Sequence, residues 1–274
     1  MCGRYVLYGP GNRVIVGFSV RELPPFAPRY NIAPTADVLT ILLGRSGERI
    51  ARNMRWGLVP GWAKDPAIGA KLNNARADTV DEKPAFRNAF RRWRCILPAN
   101  GFYEWQAAPR PGMRKQPFYV QPPDAGGLFA IAGLMERWNG PDGPLYTCCV
   151  ITTDANPVMA PIHDRMPVLL QPSQFDAWLD PDNQDVAGLK AMLVPAPVQA
   201  IAVHAVDPAV NQARNEGEQL IAPLAAGTPP GGQSPEQSAV EPLPAAAAPA
   251  GPTEPAPDCS GVTESRPPAG RSHA

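Results

Sequence analysis

The stretch Cys95-Ile96-Leu97-Pro98-Ala99-Asn100-Gly101-Phe102-Tyr103-Glu104-Trp105 reads as a strand, an Asn-Gly turn and a second strand. With a period of two, Phe102 and Glu104 share one face of the second strand, while Tyr103 and Trp105 share the other. A carboxyl set among three aromatics loses hydration, which raises its pKa toward the range useful for proton transfer. A structural salt bridge is the alternative role for Glu104.

Outward from this pair, segments 4–8, 38–43, 49–58, 115–121, 128–132, 146–153 and 199–206 have the apolar and β-branched density of strands. Gly44-Arg45-Ser46-Gly47 looks like a hairpin turn between two of them. Helical patterns are fewer and shorter. Segment 12–28 is a helix or loop ending in a Pro-rich turn, and 175–179 and 186–193 are short helices. Segment 83–93 is a helix with Phe86 and Phe90 on one face and Arg87 and Arg91 on another. Arg92 and Arg94 thicken its basic cluster, which is either solvated or a nucleic-acid contact. Arg29-Tyr30-Asn31-Ile32-Ala33-Pro34-Thr35, polar and aromatic around a proline, is expected to be a connector.

The 274 residues, 44% of them hydrophobic, are enough to bury a sizeable core. Basic and acidic residues balance at 25 each, but the balance is uneven along the chain. Segment 223–274 has five acidic and two basic residues, which leaves 23 basic and 20 acidic residues in 1–222. That mild excess permits a local basic groove. Segment 223–274 also has twelve prolines and no aromatic residue. With almost nothing to bury, it is expected to be a disordered tail beside one folded domain over 2–222.

Five cysteines, Cys2, Cys95, Cys148, Cys149 and Cys259, with no CxxC spacing argue against both a disulfide framework and a zinc site. Free thiols fit a reducing cytoplasm. No apolar run of membrane-spanning length occurs, no signal segment stands before Cys2, and no phosphate-cradling glycine motif is present. No membrane association, metal or cofactor is therefore expected.

The chain opens Met1-Cys2-Gly3-Arg4. Trimming of Met1 would leave Cys2 with a free α-amine beside its thiol, a 1,2-aminothiol whose two groups titrate near ~8 and ~8.5. The natural target of such a pair is an aldehyde, captured first as an imine and then as a five-membered thiazolidine. A frayed chain start with an inert cysteine is the competing role.

Three further stretches offer chemistry. Met54-Arg55-Trp56-Gly57-Leu58-Val59-Pro60-Gly61-Trp62 sets two tryptophans beside glycines, where one could stack a base or both could be core. Lys71-Leu72-Asn73-Asn74-Ala75-Arg76-Ala77-Asp78 has donors suited to sugar or phosphate, or is a solvated turn. His163 lies between Pro161 and Pro167 among charged neighbours, which favours acid–base or hydrogen-bonding use over core filling. His204, in a strand pattern, is expected to be structural, and His273 falls in the tail.

These motifs occur in a fixed order: Met-Cys-Gly-Arg-Tyr at the start, Arg29 to Thr35, Asn74-Ala75-Arg76, Pro98 with Gly101-Phe102-Tyr103-Glu104-Trp105, and His163-Asp164-Arg165-Met166-Pro167. Together they resemble the SOS-response-associated peptidase (SRAP) family, the abasic-site processing proteins, over roughly residues 2–222. The resemblance implies a single α+β domain with a β-barrel-like antiparallel core and peripheral helices. It implies binding of single-stranded DNA and capture of an abasic site through the N-terminal cysteine. By that resemblance Cys2 is the nucleophile, Asn74 positions the open sugar, Glu104 manages protons at the Cys2 amine and His163 acts on the sugar hydroxyl. Arg76 and Arg165 would grip flanking phosphates, Pro34 and Trp62 would pack against bases, and Arg4 joins the DNA-binding set. Asp78 stands where a glutamate is usual and Met135 where an aromatic often follows Ala-Gly-Leu.

The expected protein is a cytoplasmic monomer that becomes nucleoid-associated on DNA. Two other functions fit parts of the sequence. An N-terminal-nucleophile amidohydrolase would use Cys2 and Gly3, and a non-catalytic single-strand binding module would need only the arginines and tryptophans.

Overall fold

The structure is a computed structural model, and it describes residues 2–224 except Pro109, Pro111 and Ala125. The tail expectation falls almost wholly on 225–274, which, with Cys259 and His273, lie outside the described residues.

In chain order the elements are β1 (Arg4–Leu7), α1 (Gly11–Phe18), β2 (Arg29–Ile32), β3 (Asp37–Leu43), β4 (Arg49–Trp56), β5 (Asn74–Arg76), α2 (Arg87–Arg92), β6 (Arg94–Ala99), β7 (Gly101–Gln106) and β8 (Gln116–Gln121). They continue with β9 (Phe129–Gly140), β10 (Gly143–Asp154), β11 (Arg165–Pro167), α3 (Phe175–Leu179), α4 (Val186–Ala191) and β12 (Ala202–Ala205). The fold is α+β. Five strands close a barrel in the order β10-β4-β3-β6-β9 and back to β10. The ring is antiparallel apart from a short parallel seam, Thr147 with Arg55 and Cys148 with Trp56, that joins β10 to β4. The C-terminal half of β10 outruns β9 and β4 and takes β5 in parallel and β11 in antiparallel pairing. A second antiparallel sheet runs β12-β8-β7-β1-β2.

Alternation decides what fills each layer. The main core holds Tyr5, Ile41, Trp56, Ile96, Leu97 and Phe102, all with no exposed surface. Side chains of this size each contribute ~1.5–3 kcal/mol when buried. Tyr103 and Tyr119 pack with Val6, Val206 and Val210 in a separate cluster on the other face of β7. Phe102 and Tyr103 therefore point into different cores, as a period of two requires.

The Asn-Gly pair does not close a hairpin. β6 belongs to the barrel and β7 to the second sheet, and Asn100 turns the corner between them. Its backbone N–H donates to Val6 O at 2.8 Å, its amide donates to Gly127 O at 3.1 Å, and its side-chain oxygen accepts from Tyr8 N at 2.7 Å. Three partners from distant segments outweigh the local turn preference. The following residue must be glycine, because a Cβ at Gly101 would lie 2.5 Å from the Tyr119 ring.

Other expectations are corrected by long-range pairing. The expected connector at 29–35 contains β2, which pairs with β1 through Tyr5 and Ile32. The expected turn at 71–78 contains β5, which borrows its hydrogen bonds from β10. The helix expected over 83–93 is regular only over Arg87–Arg92, although Phe86 and Phe90 are buried as its pattern required. Arg94 is no part of a basic face. It is buried, and its guanidinium donates to the carbonyls of Phe90, Arg91, Trp178 and Asp180, at the C-terminal ends of α2 and α3, where helices leave carbonyls without partners of their own. Among the described residues no helix is long and apolar enough to cross a membrane.

Candidate functional site

Cys2 leads into β1 and is fully buried, so the chain start is not frayed at this residue. Its carbonyl accepts a hydrogen bond from Asn74 Nδ2 at 2.8 Å. Asn74 is placed by its neighbours: it opens β5 opposite Val150, and Trp56 Nε1 donates to the preceding carbonyl, Asn73 O, at 2.9 Å. Asn74 Oδ1 is buried and accepts no hydrogen bond from any described residue. Burial pushes the Cys2 thiol well above its ordinary pKa, Glu104 pushes it further, and the α-amino charge at the chain start opposes both.

Glu104, on β7, is 2% exposed. Burial raises its carboxyl from the ordinary 4.5 to about 7, against the pull of the α-amino charge. His163 Nε2 lies 4.0 Å from Glu104 Oε2. The imidazole sits in the segment between β10 and β11, and burial, with the α-amino charge next, lowers its pKa. Its Nδ1 accepts the Arg165 backbone N–H at 3.0 Å and lies 2.9 Å from Asp164 Oδ1. Nδ1 thus faces both a donor, the Arg165 N–H, and an acceptor, the Asp164 carboxylate, which call for opposite tautomers of a neutral ring. A thiol, a carboxyl poised near neutrality and a neutral imidazole are thus gathered where acid–base and nucleophilic chemistry can be combined.

Residues expected to hold DNA form a different group. Arg4 donates to Asn31 Oδ1 and Val210 O at 2.8 Å each and to Asn211 O at 3.3 Å, and its guanidinium lies 5.8 Å from the Trp105 ring centroid. It clamps the 210–211 segment to the second sheet. Arg76, 57% exposed, pairs with Asp78 at 2.6 Å. Arg165, 9% exposed, pairs with Asp154 at 2.6 Å and donates to Thr152 O at 2.7 Å. Trp62 is 61% exposed while Trp56 is fully buried, so one tryptophan of the pair is core and the other faces solvent. Pro34 is partly buried and precedes Thr35, whose positive φ of 76° and N–H bond to Trp56 O at 2.7 Å hold that bend against β4.

Two further buried groups make contacts that the sequence reading did not assign to them. Asn31 is buried and donates to Val210, Gln212 and Asn215 carbonyls, fixing the closing segment beside Arg4. Trp56 is the other, its Nε1 bond to Asn73 O bracing the residue before Asn74. Among the described residues no group of three or more His, Cys, Asp or Glu side chains could hold a metal ion.

Residues 1–213 match the family model described as SOS response associated peptidase (SRAP). The chain is 42% identical over 226 residues to abasic site processing protein YoqW of Bacillus subtilis (strain 168), covering 81% of this chain and 99% of that protein. It is 34% identical over 229 residues to abasic site processing protein HMCES of Xenopus tropicalis, covering 73% of this chain and 67% of that protein. A crystal structure of a Bacteroides thetaiotaomicron protein superposes with a TM-score of 0.72 at 23% identity, covering 82% of this chain and all of that one, a likeness of fold. Two independent lines, a family model spanning most of the chain and relatives matched over most of their length, agree that the chain belongs to the SOS response associated peptidase family.

Proposed function

We propose that this chain processes abasic sites in single-stranded DNA by capturing them covalently through Cys2. The observation that carries the proposal is the Asn74 Nδ2 to Cys2 O bond of 2.8 Å beside the Glu104–His163 pair. It ties the start of the chain to the groups that an aminothiol–aldehyde condensation needs. The relatives named as abasic site processing proteins support the same substrate.

The α-nitrogen of Cys2 is an amide while Met1 remains, so hydrolysis of the Met1–Cys2 bond comes first, by the chain itself or by an aminopeptidase. The freed amine attacks C1′ of the open-chain abasic sugar to give a carbinolamine. Glu104, with a carboxyl titrating near 7, delivers the proton with which hydroxide leaves as water and takes back the nitrogen's proton as the imine forms. The Cys2 sulfur then adds to the imine carbon, the thiol proton passes to nitrogen, and the thiazolidine closes. His163 holds the sugar hydroxyl, and Asn74 aligns the Cys2 backbone. Reversal needs a proton returned to the ring, taken up by the sulfur as its bond to C1′ breaks and the imine re-forms, with Glu104 as the donor. Arg76 and Arg165 serve flanking phosphates, and Pro34 and Trp62 pack on neighbouring bases. The protein acts in the cytoplasm as a monomer.

The test is a denaturing gel of the protein mixed with an oligonucleotide carrying one abasic site. A heat-stable shifted band is expected, and it should vanish in Cys2→Ala and when Met1 removal is blocked. Absence of the band with processed wild-type protein refutes covalent capture. Association that survives unchanged in Cys2→Ala would assign the chain to non-catalytic DNA binding, and ammonia release from glutamine to amidohydrolase chemistry.

A further inference from the structure

Beside His163 a cleft of about 710 Å³ opens between the end of β7, the segment leading into β8, and the segment 160–164. Its size falls within the ~300–1,000 Å³ of ordinary ligand clefts. Trp105 and Gln106 supply one wall, Arg114 and Lys115 another, and His163 and Asp164 line the side toward the reactive centre. Gln106 Nε2 donates to Pro161 O at 3.0 Å, so the two sides are tied together. Trp105 is fixed by its Nε1 bond to Asn211 Oδ1 at 2.6 Å. The walls are held by contacts that no ligand has to make.

The charges are the informative part. Arg4, Arg76 and Arg165 are each engaged within the protein, by Asn31 and backbone carbonyls, by Asp78 and by Asp154 respectively. Arg114 and Lys115 are exposed and, among the described residues, neither belongs to an ion pair. Asp164 is the single acid of the lining, and it lies against His163 Nδ1. His163, whose Nε2 lies 4.0 Å from Glu104 Oε2, lines this cleft and so joins it to the proposed reactive centre.

We propose that the cleft takes the single-stranded DNA segment adjoining the lesion on one side, with Arg114 and Lys115 neutralising its phosphates. This rests on the function proposed above and adds a subsite to it. Its affinity is electrostatic and sequence-independent, as phosphate contacts are.

The experiment measures crosslinking rate against protein concentration for wild type and Arg114→Gln/Lys115→Gln, on oligonucleotides with the abasic site central, near the 5′ end or near the 3′ end. Both side chains are exposed, so thermal melts should coincide. On the central lesion the double variant should raise the half-saturating concentration about tenfold with an unchanged maximal rate. It should also lower the salt slope by ~1.4, for two phosphate contacts on a single strand. One of the two end-placed lesions, the one lacking the flank that fills the cleft, should no longer distinguish variant from wild type. Equal half-saturation on all three oligonucleotides with an unchanged salt slope overturns the subsite. If wild type forms no crosslink, covalent capture has failed instead. Equilibrium binding of undamaged single strands by the same two proteins then decides the cleft alone, with weaker, less salt-sensitive binding expected of the variant and equal binding refuting it.

Discussion

Glu104 and Arg76 are both candidate functional residues, yet the fold treats the two charges in opposite ways. Glu104 is withdrawn from water until its carboxyl titrates near 7, whereas Arg76 is left in solvent with Asp78 beside it. Burial brings the titration of the first group to neutral pH, at a cost to the folded state. Exposure with a nearby carboxylate makes the second a weakly held cation, which a phosphate can take over because exposed ion pairs contribute little. The centre of the site is tuned by desolvation, and its rim by replaceable partners. The variants below are ordered by how hard each presses on that contrast.

Glu104→Gln should have the largest effect, and in two directions. Crosslinking should slow by ~10²-fold, in the range removed with a general acid–base group, and the inflection near pH 7 in the wild-type rate profile should disappear. Stability should rise. The folded carboxyl keeps its proton up to about 7 and the unfolded one loses it near 4.5, so the folded state binds more protons between these values and wild-type stability falls across that window as pH rises. At pH 8 the glutamine variant should therefore be more stable by ~3 kcal/mol, with the gap closing toward pH 4.5. Denaturant melts at the two pH values decide this, and a pH-independent gap would show that Glu104 is not held neutral by burial.

Trp56→Phe comes next. It removes the Nε1 bond to Asn73 O and opens space beside Tyr5, whose ring meets Trp56 edge-on at 5.3 Å between centroids. A loss of ~2 kcal/mol is expected from the cavity and the unmet carbonyl. If Trp56 positions Asn74, crosslinking at saturating DNA should also fall under conditions where the variant is fully folded. A loss of stability alone would reduce Trp56 to a core residue.

Asp154→Asn follows, with an expected loss of ~1 kcal/mol. Arg165 is largely buried and would keep Thr152 O as its partner, while Asp154 itself is exposed and screened. A thermal melt checks it, and its midpoint should move far less than that of Trp56→Phe.

Much of this arrangement was legible where the signal is local. Alternation at Phe102, Tyr103, Glu104 and Trp105 assigned each to its face, whereas the glycines beside both Trp56 and Trp62 did not say which of the two leaves the core. Legibility failed where distant chain supplies the reason for a structure. Arg29–Ile32 and Asn74–Arg76 are too short and polar to look like strands, and they exist because β1 and β10 offer them unpaired edges. Arg94 looked like one more surface arginine after Arg91 and Arg92. The carbonyl that buries it belongs to Trp178, 84 residues away, and no periodicity near Arg94 encodes that. The candidate functional residues were read from their order along the chain. Their partners were not: Asn31, Trp56, Asp78 and Asp154 act through contacts that only the fold creates.

Asp78→Asn should produce the smallest effect and makes the sharpest test of the rim. Arg76 Nη2 lies 2.6 Å from Asp78 Oδ2, and its hydrogen bond holds the Asp78 carboxyl below the usual carboxylate range, so the pair is ionised at neutral pH. Thermal stability should barely change, since both groups are largely exposed. Affinity for single-stranded DNA should instead rise roughly twofold at low salt, because phosphate no longer competes with a carboxylate for the guanidinium. The gain should fade as added salt screens both interactions. Fluorescence anisotropy across a salt series reads it directly. Weaker binding in the variant would mean that Asp78 orients Arg76 for its phosphate rather than holding it in reserve, and the exposed partner would then be as much a part of the working site as the buried one.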